Sequence, residues 1–482
     1  MRTLNFPRPP VSFLWLLPAI GLGLIAGLLP PLPALVLIGG MGLLIVTLID
    51  PRIGLTVTLI VAPLKTLIET EAALKLPLDV GQIALLITLA AWLMRSIADQ
   101  RRIGLRWSGV YLPLCAFLFA AALSLWGAVS PSATVNELIK WVEILLVMAL
   151  VGSSGGGWWV AGTLLIAASG QALLGIYQFR GGSGAPHLWI LEFRYFRAFG
   201  TFGQPNPFGA FMGLTLPLAL GMSYGLAAAA WRKRNARFAA WAALTLAAAA
   251  FIGGGLIVSW SRGAWLGFAS AILMLLLCAP RKRWMGVLLL VFVIGGVALS
   301  VVSGLAPASL VARITDFAQD LTGIEDVRGR AINDDNYAVI ERLAHWQAAL
   351  GMANDHPLVG VGFGGYEAAY PAYALMNWSM ALGHAHNYYL NVLAETGIVG
   401  LAAYVGMWLA YLMLTLRALR LADPERGIAL GLLGVWVHLA VHSLFDKLFV
   451  NNLFLHIGAM LGLITVLLHS GRVLERDEYD GT

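Results

Sequence analysis

Apolar runs of about twenty residues recur from one end of this chain to the other, and they decide most of what it can fold into. Roughly fourteen stand at 11–29, 32–49, 53–68, 80–97, 109–129, 135–152, 157–178, 207–230, 238–258, 263–279, 284–303, 386–416, 427–444 and 452–470, and about 20 apolar residues cross a hydrocarbon core. Inside lipid the backbone must satisfy its own hydrogen bonds, so the runs are read as helices. The expected fold is all-α: a polytopic membrane protein with about 12–14 transmembrane helices and a helical cap between the late ones. The first three runs are short or interrupted by proline, which sets the lower count. Charge agrees, since 12% of the 482 residues are charged against about 25% in soluble domains.

The basic residues orient the runs. Arg95/Arg101/Arg102/Arg106, Arg232/Lys233/Arg234/Arg237, Arg281/Lys282/Arg283, Arg417/Arg420/Arg426 and Arg472/Arg476, with Arg2, Arg8 and Arg52, fall on one side under strict alternation. That side takes about nineteen of the 31 Lys and Arg residues, and the positive-inside rule makes it cytoplasmic. Both termini are then expected in the cytoplasm. The same bias explains the net charge of +6 without nucleic acid as a partner. Arg2 and Arg8 before the first run resemble a signal peptide, but no small-residue cleavage site follows, so an uncleaved first helix is expected. Cys115 and Cys278 sit in apolar runs and read as packing residues, with no disulfide between them.

Four segments follow from this reading: 1–180, N-terminal transmembrane helices; 181–303, helices with outer-face arginines; 304–385, a large outer loop; and 386–482, C-terminal helices. The loop is too long for a passive connector. Leu310, Ile314, Phe317 and Leu321 recur at helical spacing, as do Ile340, Leu343, Gln347 and Leu350, with Asp334, Asp335 or Asn336 available to cap the second helix. A turn-rich piece, His356-Pro357-Leu358-Val359-Gly360-Val361-Gly362, leads toward His384-Ala385-His386-Asn387, where the chain re-enters the membrane.

The residues able to do chemistry gather on the outer face. Arg197 precedes one span, and Arg262 sits in Ser259-Trp260-Ser261-Arg262-Gly263 between two spans joined by almost no loop. A charge placed there is costly and needs a partner or a function. Arg262 alone reads equally well as a side chain snorkelling to the interface. Two such arginines facing a loop-end histidine favour an anion site, because guanidinium binds phosphate through paired, charge-assisted bonds. His438 and His442, one helical turn apart, read first as packing residues and only second as a metal pair. Lys140, between Glu137 and Glu143, reads as internal ion pairing before a proton path. Glu325/Asp326 and Asp334/Asp335 read as solvated faces or caps.

The pattern His386-Asn387, nine residues, Gly397, two residues, Gly400 resembles the signature of the bacterial O-antigen ligase and O-antigen polymerase superfamily. So do Glu341-Arg342, Trp346, the 356–362 turn, the Arg197 stretch ending Gln204-Pro205-Asn206-Pro207-Phe208-Gly209, and Ser261-Arg262-Gly263. The resemblance covers roughly residues 190–445. It implies a lipid-carrier glycosyltransferase in the bacterial inner membrane, with its site on the periplasmic or outer side. The implied partners are a glycan donor on undecaprenyl diphosphate, a hydroxyl acceptor such as lipid A-core or a second glycan, and membrane lipid. No cofactor and no metal are implied. Carried over by motif, His386 is the catalytic histidine and Arg197 and Arg262 bind the donor diphosphate, with His384, Asn387 and Arg342 in support. The residue types suit that chemistry: a sugar hydroxyl needs a base as it attacks, cations nearby keep an imidazole neutral, and the arginines take up charge on the leaving group. One attack inverts the anomeric centre. The His-Asn-x9-Gly-x2-Gly spacing leans toward ligase, with O-antigen polymerase as the alternative. A lipid or solute transporter would place functional charge deep in several spans and often show a repeat; only the 137–143 cluster resembles that. A structural scaffold would tolerate loss of all these residues.

Overall fold

A computed structural model describes residues 31–71, 78–100, 108–182, 188–190, 194–306, 311, 326–329, 332 and 336–480. The 11–29 run, the Leu310–Leu321 pattern and the caps Asp334 and Asp335 lie outside these residues. The described helices are α1 (Pro31–Ile49), α2 (Pro51–Val61), α3 (Lys65–Glu71), α4 (Val80–Gln100), α5 (Leu112–Leu123), α6 (Pro131–Ser154), α7 (Gly157–Phe179), α8 (Pro205–Lys233), α9 (Ala236–Val258), α10 (Arg262–Cys278), α11 (Arg283–Val302), α12 (Tyr337–Asp355), α13 (Tyr366–Ala369), α14 (Tyr388–Ala418), α15 (Glu425–His442) and α16 (Leu453–Asp480). Every apolar run within the described residues is therefore helical, and the protein is an all-α polytopic membrane protein. Among the described residues, 8 helices are long and apolar enough to cross a membrane; α10 has 17 residues and falls just short.

Local chemistry starts and stops these helices. Prolines open α2, α6 and α8, where the missing N–H costs nothing. Asp50 accepts from Arg52 N, Ser130 from Ala133 N and Asn235 from Arg237 N at the cap positions. Beyond the expected helices the outer segment adds one antiparallel pair, β1 (Trp189–Ile190) with β2 (Tyr195–Phe196).

The α8 helix is the hub, with 83% of its most apolar window buried. It meets α15 through glycines: a Cβ at Gly221 would stand 2.4 Å from Gly431 N, and one at Gly225 2.7 Å from Gly427 Cα. Small residues let two backbones approach this closely, which is how helices associate where lipid is as apolar as the side chains. By contrast α11 has 6% of its window buried and faces outward. At the basic end Asp423 accepts from both Arg232 and Arg281, and Arg426 donates to the carbonyls of Cys278 and Ala279 at 2.9 Å. These bonds gather the loops after α8, α10 and α14 at one end. The chain ends that hold Arg197, Arg262 and His386 lie at the other.

The amphipathic pattern expected for α12 needs correction. Ile340 and Leu343 are buried, but Leu350 is exposed and Gln347 partly so. The buried stripe instead runs through Ala344, His345, Ala348, Ala349 and Met352, against Tyr366 and Tyr370. Large aromatic rings from the next segment need small partners, so the alanines face inward and displace the longer side chains.

Candidate active site

The site begins with a hook. His384 Nδ1 accepts the backbone N–H of His386 at 3.0 Å. Asn391 Oδ1 accepts from Ala385 N at 3.1 Å, so the first turn of α14 clasps the hook from behind. His386 itself takes a left-handed φ of 54°, a conformation rare outside glycine and worth attention where it occurs. Asn387 then caps α14, its Oδ1 accepting from Tyr389 N and Leu390 N at 3.0 and 3.2 Å. Its place in the sequence pattern is therefore accounted for by helix initiation. The backbone of Tyr388 donates to Ser443 O at 2.7 Å, tying the hook to the end of α15.

Because His384 Nδ1 accepts a bond, its proton sits on Nε2, which faces Asp446 Oδ1 at 3.6 Å. Both ring nitrogens of His386 are shielded from solvent and have no hydrogen-bond partner among the described residues. The His386 ring lies edge-on to His384 at 4.4 Å and to His345 at 5.7 Å between centroids. His345 is held by Tyr366: the phenol donates to His345 O, leaving its oxygen to accept from Nδ1 at 2.9 Å. Burial, then His384, Arg342 and His345, pull the proton affinity of His386 down to about 3, with Asp446 opposing. Burial first, and then Lys447, His345 and Arg342, bring His384 to about 3. Burial alone takes His345 to about 4. All three imidazoles are neutral at neutral pH.

The arginines reach the same place by other routes. Arg197 Nε donates to Ser259 O at 3.3 Å and Nη2 to Asn206 Oδ1 at 3.2 Å, which fixes it between the start of α8 and the Ser259–Arg262 turn. Arg262 is the first residue of α10, so its charge adds to the positive end of a helix. Burial, followed by the charges of Arg262 and Arg342, lowers Arg197 to about 10. It remains a cation, and the shift shows three guanidinium groups sharing one neighbourhood. Packing connects them to the hook: a Cβ on Gly263 would touch the His442 ring and Phe445, and His442 O accepts from Asp446 N at 3.2 Å. Arg197, Arg262, Arg342, His384 and His386 thus occupy one continuous region, with Arg342, from α12, acting on both Arg197 and His386.

Beneath the hook lies a buried ion network. Lys447 Nζ is 3.2 Å from Glu137 Oε1, and Lys140 Nζ is 2.7 Å from Glu137 Oε2. Burial pulls the Lys447 ammonium toward neutrality, but Glu137 and Glu395 outweigh it and its proton affinity is raised. Glu143 bonds instead to Gln82 Nε2 at 3.0 Å, so the Glu137–Lys140–Glu143 series pairs at one of its two steps. Glu395 Oε1 accepts from Tyr366 N at 3.3 Å. The glycine turn reaches the same spot. At Gly397 the helix breaks to φ 62° and ψ −167°, and a Cβ there would stand 2.3 Å from Leu358 C. The turn at 356–362 and Gly397 of the motif are two halves of one contact, while Gly400 faces the Thr396 side chain of its own helix.

Residues 247–405 match the family described as O-antigen ligase. That match, over about a third of the chain, supports the O-antigen ligase and polymerase superfamily. The ligase-family match takes in Arg262, Arg342, His384 and His386, while Arg197 precedes it and Asp446 follows it. The superfamily assignment supports a membrane glycosyltransferase acting on lipid-linked glycans and an acceptor. No match was found among curated proteins.

Asp446, His345 and Lys447 were not singled out by sequence. Asp446 lies sixty residues beyond His386, after two spans. The available signal was a charged pair, Asp446-Lys447, at the outer end of an apolar run. His384, His386 and Asp446 also offer ligand atoms within 4.8 Å of one another, so this trio could hold a cation. His384 has only Nε2 left for one, since Nδ1 is bound to the backbone.

Proposed function

We propose that this protein is an inverting, metal-independent glycosyltransferase of the ligase type, moving a glycan from undecaprenyl diphosphate to an acceptor hydroxyl. The observation that carries the reading is a neutral His386 whose shielded ring nitrogens have no partner among the described residues, beside the Arg197–Arg262–Arg342 cluster. The acceptor O–H approaches C1 of the donor sugar on the face away from the diphosphate. As the O–C1 bond forms, a His386 ring nitrogen takes the hydroxyl proton and the C1–O bond breaks toward phosphate. The electron pair leaves with undecaprenyl diphosphate, whose growing charge Arg197 and Arg262 stabilise.

An imidazole with a proton affinity near 3 is a weak base. The donor diphosphate changes this, because its negative charge beside Arg342 offsets the cations and raises the affinity of His386. Asp446 acts in the same direction and supports the imidazolium as it forms. Base strength is therefore coupled to donor binding. The α12 cap would position the sugars, and an apolar groove between spans would take the polyprenyl tail. The site then faces the periplasm from the bacterial inner membrane, with both termini in the cytoplasm.

The test mixes purified protein with an undecaprenyl-diphosphate glycan and one of three acceptors: lipid A-core, a second donor molecule or a peptide. Products are read by mass spectrometry with and without a chelator. Chelator-insensitive transfer to lipid A-core is expected. Chains built only on the second donor would make it a polymerase using the same residues. No transfer to any acceptor by folded protein would overturn the reading.

A further inference from the structure

A cavity of about 970 Å³ lies between α7 and α9, with Met222 and Leu226 of α8 on its floor. Its walls run from Trp158 to Leu173 on α7 and from Phe238 to Phe251 on α9. At 1.5 Å per residue that is roughly 22 Å, room for one leaflet's hydrocarbon, about 15 Å, together with the glycerol region. Ile166, Leu173, Trp241 and Leu244 on its rim are exposed, so the groove opens sideways, where lipid would lie.

Its only charged lining residues, Lys233 and Glu425, stand at one end. Glu425 already accepts from the Trp158 indole at 3.3 Å, and the neighbouring carboxylate Asp423 takes Arg232 and Arg281. Lys233 rests 5.1 Å over the Phe238 ring, and exposed Arg234, on the connection to α9, and Arg237, in the first turn of α9, follow it. We infer that this groove binds an anionic diacyl phospholipid, with the acyl chains along α7 and α9 and the phosphate on Lys233. Basic pockets between membrane helices recognise acidic headgroups in this way, and tryptophans such as Trp158 and Trp241 suit the interface they would occupy. The site is separate from the candidate active site: Lys233 ends α8, whereas Asn206, which holds Arg197, begins it. The length of that helix, about 40 Å, separates the two headgroup positions.

The test uses delipidated full-length protein in detergent, titrated with phosphatidylglycerol, phosphatidylcholine of the same chains, or undecaprenyl phosphate. Bound lipid is counted by native mass spectrometry. Wild type is expected to retain phosphatidylglycerol about tenfold better than phosphatidylcholine, and Lys233→Glu to erase the difference. Gly170→Trp fills the groove from a position where a Cβ meets nothing within 4 Å, so it should fold normally and lose the lipid altogether. Equal retention of the two phospholipids, or an unchanged preference in Lys233→Glu, would overturn the inference. So would undecaprenyl phosphate displacing phosphatidylglycerol and persisting in Lys233→Glu, which would assign the groove to a polyprenyl chain.

Discussion

Two histidine pairs stand close together at one end of this protein, and they do different work. His438 and His442 lie one turn apart on α15, with Nδ1 of the second 3.3 Å from Nε2 of the first. Glycines wall them in: a Cβ at Gly213 would fall 2.0 Å from His438 Cε1, and one at Gly267 2.8 Å from His438 Nδ1. His384 and His386 sit on a loop hook beside Asp446 and near Arg342. An orphaned nitrogen does not separate the pairs, since His438 Nδ1 also lacks a partner among the described residues. What separates them is packing and the surrounding charge. The helical pair fills a notch cut by glycines of α8 and α10, while the hook pair borders a cluster of cations that suits an anionic substrate. The pair spaced by four packs against glycines, and the pair spaced by two supplies the candidate base.

Substitutions can break this contrast. His386→Ala should lower transfer by about 10³-fold, within the range for a lost general base, while leaving the protein folded in detergent. A fall of tenfold or less would make it a supporting residue. Arg197→Ala and Arg262→Ala should each cost about 10²-fold, as for a lost donor to developing negative charge, and lysine should restore part of it. Asp446→Asn should cost about tenfold and weaken base strength, because its charge raises the proton affinity of His386; steady-state rates at saturating donor would show it. His438→Ala should leave turnover within about threefold of wild type but lower the thermal midpoint, since it empties a sealed notch at a cost of about 2–3 kcal/mol.

The smallest effect sharpens the comparison through pH. His386 is held near 3, far below an ordinary 6.5. Its neutral form therefore persists from pH 7 down through the range where a solvent-exposed histidine would become protonated. kcat/KM, which reports the free enzyme, should stay flat between pH 7 and about 5. An acid limb centred near 6.5 would contradict the environment described for the ring.

The helices were legible because lipid leaves the backbone so few choices. Arg197, Arg262 and His386 stand out in the sequence as candidates because they are polar residues at the ends of apolar runs, and the structure brings them into one region. The rest depended on contacts that no local pattern encodes. Asp446 reaches His384 only once α14 and α15 have crossed and returned, and Lys447 finds Glu137 across more than three hundred residues. The face of α12 was misjudged at Gln347 and Leu350 because the residues that fix it, Tyr366 and Tyr370, belong to the next segment. Asn387, a supporting candidate by motif, also caps α14, a bond the motif does not announce.

The central claim is that the hook histidine, and not the helical pair, takes the acceptor proton. A single-turnover transfer with preformed donor complex tests it, comparing His386→Gln with His438→Gln in the same detergent. Loss of about 10³-fold in the first, with the second near wild type, is the result expected. Comparable rates for the two variants, or a larger loss at His438, would contradict it.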